Sequence, residues 1–246
     1  MKKMKKIILS MSFISSLFTI PAFACDKCDK FNNENFVIVS TTATYNPNLK
    51  ELVMSIQVKG KAGATMPDST GKLDGAGVLG YVFPTTLKAE DVGFNKTEGI
   101  LALALTSHPD FDDSPLWDEN NNGVYSDDGR VWHPHWVLLV KDERVKGGLA
   151  VKEFKKEDKS VKLPPTAPNM PMYMDSPGFQ VVTKGNTIQV SIPAYRINNK
   201  TDFKFDAVAC YMAVNTSDMM MPMLGVMNVY SVASGKLTLP YSVKVK

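Results

Sequence analysis

Apolar side chains recur along this chain with a period of two, in short runs rich in Val, Ile, Thr, Tyr and Phe that end at Gly, Pro, Asn or Asp. Such alternation suits a pleated strand with one covered face, and no segment sustains a 3.6-residue period over several turns. The runs predict strands at 36–45, 52–58, 77–83, 100–106, 130–140, 149–154, 178–183, 187–195, 204–214, 225–232 and 236–245, with short helical turns near 87–92 and 198–202. Many short strands separated by turn signals predict an all-β fold, a single antiparallel β-sandwich or distorted barrel of about ten strands. The Pro-rich stretch at 163–171 is expected to be a loop inside one domain covering 25–246, because neither half is self-sufficient and no internal repeat is present.

The first 24 residues have the three-part form of an export signal. Lys2, Lys3, Lys5 and Lys6 form a basic start, an apolar run follows, and Ala22-Phe23-Ala24 offers a small-x-small cleavage site. The run is short for an anchor and no second long apolar run follows it, so no transmembrane segment is expected after cleavage. The expected location is the periplasm, the cell surface or the medium. Four of the 28 Lys and Arg residues lie in the signal and none of the 25 Asp and Glu, which leaves 24 basic side chains against 25 acidic ones. The basic excess that nucleic acid or anionic lipid would need disappears with the signal. Three cysteines remain, Cys25, Cys28 and Cys210, and the odd number needs an account. Lipid on Cys25 would leave Cys28 and Cys210 to pair. Cleavage after Ala24, the preferred outcome, leaves Cys25-Asp26-Lys27-Cys28 as a local disulfide, a soft metal site or a redox pair.

All three histidines, His108, His133 and His135, fall within 28 residues. His133 and His135 are two apart on an expected strand, so they share a face with Cα atoms roughly 6.5–7 Å apart. Two imidazoles at that spacing can converge on copper, zinc, iron or nickel, and His108 can supply a third if the neighbouring strands pair. Pro134 cannot donate to a ladder, which predicts an edge or a bulge and hence an accessible site. Trp132 and Trp136 should face away from the histidines, into the core.

The chain is also rich in methionine. One cluster is Met170, Met172 and Met174, whose thioethers face one way if the segment is extended. Another is Met219, Met220, Met221 and Met223, followed by Met227. Thioethers are soft ligands that select Cu(I), although methionine also fills ordinary cores. Between His108 and the His-Pro-His strand, Asp118, Asn120 and Asn122 precede Gly123 with the spacing of a calcium loop. The bidentate Glu of an EF-hand is replaced by Gly129, so Asp127 or Asp128 would have to substitute; the alternative is an Asn/Asp-rich turn with no ion.

Clustered tryptophan and histidine beside an acidic Asn/Asp loop resembles the CorA/MopE type of secreted copper-binding protein, over the middle of the chain. The resemblance implies a β-rich fold holding copper through two histidines and an oxidised tryptophan. It carries over to His133, His135 and Trp132, although the Trp-x-His spacing of that family is absent here. The expected function is therefore exported metal binding, with copper as Cu(I), for acquisition, storage or tolerance, served by a delivery or oxidising partner protein. One alternative is a calcium-stabilised β-sandwich that binds or adheres to another surface without copper. A cupin-like metal oxygenase also uses a His-x-His strand, but no histidine follows His135, and no Ser-His-Asp signature or Gly-rich phosphate loop is present. The chain is accordingly expected not to be an enzyme.

Overall fold

The computed structural model describes residues 26–246 except Pro115; the expected export signal and Cys25 lie outside the described residues. The strands in chain order are β1 (Ile38–Asn46), β2 (Glu51–Val58), β3 (Gly77–Pro84), β4 (Ile100–Ser107), β5 (His133–Lys141), β6 (Leu149–Val151) and β7 (Met174–Asp175). They continue with β8 (Val181–Lys184), β9 (Thr187–Pro193), β10 (Lys204–Phe205), β11 (Val208–Val214), β12 (Leu224–Val232), β13 (Tyr241–Ser242) and β14 (Lys244–Val245). Four of the fourteen are two-residue pairings, so ten longer strands carry the fold, as the alternation predicts. Among the described residues helical structure is limited to segments of one or two turns, among them Ala89–Val92 where a turn is expected and Ala194–Ile197 slightly ahead of the expected one. Among the described residues no helix is long and apolar enough to cross a membrane.

Six strands close on themselves in the order β4-β3-β11-β12-β6-β5, with β5 pairing back to β4 along seven residues. The result is a small barrel. Its neighbour is a five-stranded sheet ordered β14-β1-β2-β9-β8, antiparallel except for the short β1–β14 pairing. The sheet lays one face over the outside of the barrel. Leu52, Met54 and Ile56 of β2 and Ile188, Val190 and Ile192 of β9 pack there against Leu79, Tyr81 and Phe83 of β3 and Leu101, Leu103 and Leu105 of β4. A second apolar cluster lines the barrel interior, drawn from the alternate residues: Val78 and Val82, Ala102 and Ala104, Val137 and Leu139, Cys210 and Met212. Both faces of β3, β4 and β5 are therefore covered, which is why these strands are buried almost end to end while β2 and β9 alternate.

Two boundaries differ from expectation for local reasons. The expected strand 204–214 breaks at Asp206, whose carboxylate accepts the Ala207 and Ser234 amide N–H groups and the Ser234 hydroxyl. That turn lets β10 leave the barrel and pair with β13. The strand carrying the histidines starts at His133, because Tyr125–Arg130 forms a 3-10 helix. Cys28 is disulfide-bonded and Cys210 is a free thiol buried in the barrel, so these two do not pair with each other.

Candidate metal centre

β5 projects His133 and His135 into the barrel at alternate positions, opposite Thr106 and Ala104 of β4. His108 follows the end of β4, where its backbone N–H donates to the Gly129 carbonyl at 2.6 Å. Gly129 has to be glycine: a Cβ there would lie 2.3 Å from the His108 carbonyl oxygen and 2.2 Å from that of Phe111. The Phe111 ring stacks on the His108 imidazole with centroids 4.0 Å apart, holding the ring flat. Asp113, in the loop that follows, completes the group.

The four side chains are all buried, each at 5% exposure or less. Asp113 Oδ1 lies 3.3 Å from His108 Nε2, 3.2 Å from His133 Nε2 and 3.3 Å from His135 Nε2. The Nε2 atoms of His108 and His133 are 2.9 Å apart, and the whole set falls within 4.8 Å. A tetrahedral ion with bonds of about 2.0 Å requires ligand–ligand edges of about 3.3 Å. The separations to Asp113 match that edge.

The hydrogen bonds on the far side of each ring decide what faces inward. His133 Nδ1 donates to the Val131 carbonyl at 2.6 Å, and His108 Nδ1 to the Phe111 carbonyl at 3.0 Å. Carbonyls only accept, so both protons sit on Nδ1. The Ser176 hydroxyl donates to the Asp113 carbonyl at 2.6 Å and so takes the His135 Nδ1 proton as acceptor, at 3.1 Å. With the Nδ1 proton of each ring directed outward, all three imidazoles turn Nε2 toward one carboxylate. Such outward hydrogen bonds fix tautomer and ring orientation in metal sites. His135 Nε2 has no hydrogen-bond partner, and the hydroxyl of Thr106 reaches His133 Nε2 only at 3.4 Å. With Nδ1 committed outward on each ring, the three Nε2 atoms and the Asp113 carboxylate form a buried set that could hold a cation at its centre.

The protonation balance agrees. Burial acts to raise the Asp113 carboxyl, but the charges of His135 and His108 and hydrogen bonds from His108 and His133 outweigh it and hold the pKa well below the usual carboxylate range. Burial, reinforced by the repulsion of the other two imidazoles, pushes His135 down to about 3 against the pull of Asp113. Burial opposes charge on His133 too, yet the hydrogen bond and charge of Asp113 raise it above its ordinary value. Without an ion, a proton on His133 is the stand-in for one.

The structure thus brings together His108, His133 and His135 and adds Asp113, which the sequence reading passed over. Asp113 stands in an acid-rich segment with Asp110 and Asp112, and only their destinations tell the three apart. Asp110 binds the Ser69, Thr70 and Gly71 turn, and Asp112 accepts the Ser114 amide N–H. The expected accessible edge is corrected: the centre is enclosed. β5 pairs with β4 from His133 to Leu139, and around the cluster only Pro134 and its neighbours lack a partner on the other side, where β7 begins at Trp136 and β6 at Leu139. Trp132 stands on the opposite face from the cluster, with its indole N–H donating to Gly63 O at 3.0 Å and its ring against Tyr81.

Met170, Met172 and Met174 do share one face, lining an interior cavity of about 110 Å³ that also touches His108, Asp113 and His135. The other cluster is dispersed. Met219 and Met220 are exposed on a turn, Met223 leans on the barrel cluster, and Met227 packs on the outer core, while Met221 is half-buried. In the Asn/Asp loop, both Asp118 oxygens accept backbone N–H groups, from Asn122 and Gly123. The Asn120 and Asn122 amides donate to Asp127, so this loop is closed by its own hydrogen bonds. Among the described residues, the His/Asp cluster is the one group of three or more His, Cys, Asp or Glu side chains close enough to hold an ion. No family model, curated protein or solved structure matches this chain.

Proposed function

We propose that this is an exported metal-binding protein whose barrel holds one transition-metal ion in a His108-Asp113-His133-His135 centre. The observation that carries the proposal is the buried set of three Nε2 atoms, each 3.2–3.3 Å from Asp113 Oδ1, with every imidazole fixed by an Nδ1 hydrogen bond that points away from the cluster. His108, His133 and His135 would bind through Nε2, and Asp113 through Oδ1. The ion would supply positive charge and a Lewis acid to a pocket that is otherwise apolar. Three imidazoles and a carboxylate in a tetrahedron rank Zn(II) first. The carboxylate makes the set harder than Cu(I) prefers, which moves the copper expectation away from a purely soft site.

Copper is the second reading, favoured by the methionine-lined cavity that adjoins the centre and by the position of copper at the top of the divalent affinity order. A copper site of the CorA/MopE type would draw on Trp132, whereas Asp113 occupies the place of a further ligand here. Calcium in the 118–127 loop stands as an accessory proposal resting on residue spacing alone.

Elemental analysis of protein purified from its own cell envelope tests the reading directly. One zinc or copper ion per chain is expected, and none in the His133→Ala, His135→Ala double variant. Wild-type protein that takes up neither ion on reconstitution, or a double variant that binds as tightly as wild type, would overturn it.

A further inference from the structure

We infer that the barrel interior is a binding pocket for a small, largely apolar molecule whose single donor atom would join the metal as a fifth ligand, expanding the four-ligand set; this rests on the metal reading above. The cavity, about 110 Å³, is walled by Val, Leu, Ala and Met side chains, and its polar lining is confined to one end. That end consists of Thr106, His108, Asp113 and His135, three of them ligands in the proposed centre, so the ion faces the open space. Along β5 the wall continues from His135 to Leu139, a length of about 13 Å at the rise of an extended strand. An engineered apolar cavity of about 150 Å³ stays dry and accepts benzene; the smaller space here would admit a body of that size by displacement of its methionine walls.

Three features set this space apart from a loosely packed core. First, the residues that line it on β4 and β5 are smaller than their outward neighbours: Ala104 lies between Leu103 and Leu105, and Val137 between Trp136 and Leu138. Second, the flexible walls are Met170, Met172, Met174 and Met212, side chains that repack around a guest at low cost. Third, no charge other than the metal centre lines the cavity. The Cys210 thiol, which also lines it, is pushed up to about 12 by burial and stays neutral. A charged or strongly polar guest would leave its groups unpaired there, which restricts the ligand to a neutral body with one nitrogen or sulfur donor.

The probe is a series of neutral 4-alkylimidazoles, from imidazole to the propyl derivative, added to full-length protein loaded with Co(II), whose ligand-field absorption reports a new ligand. Affinity should rise about fourfold per added methylene as the alkyl chain enters the cavity. The gradient should vanish in Leu139→Trp, which fills the end remote from the histidines. An affinity that is flat along the series, or a gradient unchanged in that variant, overturns the proposal. Benzene binding to metal-free wild-type protein, followed by NMR at the Ala104 and Val137 methyls, covers the case of a variant that fails to fold. Absence of benzene binding overturns the cavity while leaving the metal centre standing. Benzene binding in a protein that takes up no Co(II) removes the metal reading, and with it the anchored ligand.

Discussion

The two faces of β5 are built for different ends. Outward, Trp136 and Leu138 join Tyr81, Leu103 and Phe205 in a core of large side chains clamped under the five-stranded sheet. Inward, His133, His135, Val137 and Leu139 face Ala102, Ala104 and an unfilled space. One strand, alternating every residue, thus separates a densely packed interior from a roomy one. The difference teaches that the barrel wall is held in place mainly from outside. Its interior is free to use small residues and to gather four polar ligands that a tight apolar core would reject.

Adjacent residues on β3 can break this comparison. Phe83 points into the outer core and Val82 into the barrel. Phe83→Ala should cost about 3–5 kcal/mol, the range for deleting a buried aromatic ring. Val82→Ala should cost only about 1.6 kcal/mol, the transfer of two methylene equivalents, because its cavity already exists. Urea unfolding of the metal-free protein measures both. Equal losses at the two positions would mean that the barrel interior carries as much of the stability as the outer core.

A titration sharpens the contrast, since the coupled imidazoles lie on the inner face. His135 is depressed in the fold, to about 3 from 6.5, so its contribution is complete above pH 6.5 and is lost as pH falls toward 3. Asp113 is depressed as well, and its contribution fades below 3.8 as pH falls through its folded value. His133 is raised, so its contribution is complete below 6.5 and is lost as pH rises through the folded value. The metal-free protein should therefore be most stable near pH 6.5, falling on the acid side by about 1.4 kcal/mol per pH unit for each proton taken up. An ion in the centre replaces the His133 proton, so loading with zinc should abolish the alkaline decline. Thermal or urea unfolding across pH, with and without zinc, checks the shape. An alkaline limb that persists in the zinc-loaded protein would place the ion elsewhere.

The architecture was largely legible because period-two patterning is a local property, and ten longer strands lie where it locates them. Closure into a barrel was not, since it depends on β5 finding β4 and on a three-residue β6 bridging to β12. The histidines announced themselves because they are few and close together. Asp113 did not, because Asp110, Asp112 and Asp113 have the same chemistry and differ only in where a loop turns them. Pro134 predicted an edge and found one only locally, which is why accessibility did not follow. Gly129 holds the position at which an EF-hand would have glutamate. Its role is steric, admitting the backbone of His108 and Phe111.

The smallest expected effect concerns methionines outside and inside the barrel. Met219 and Met220 are 93% and 76% exposed, whereas Met172 and Met174 are enclosed at 1% and 3%. Replacing the exposed pair, Met219→Ser with Met220→Ser, removes little buried surface and should change stability by less than about 0.5 kcal/mol. Metal bound per chain should stay at one. The same side chains should be first to gain oxygen under dilute peroxide, because thioether oxidation follows exposure; peptide mass spectrometry reads the order. A loss of bound copper in this variant would give the outer turn the metal role proposed for the inner face. If bound copper is unchanged, the soft donors next to the centre are those that line the barrel cavity, where thioethers serve as deformable wall.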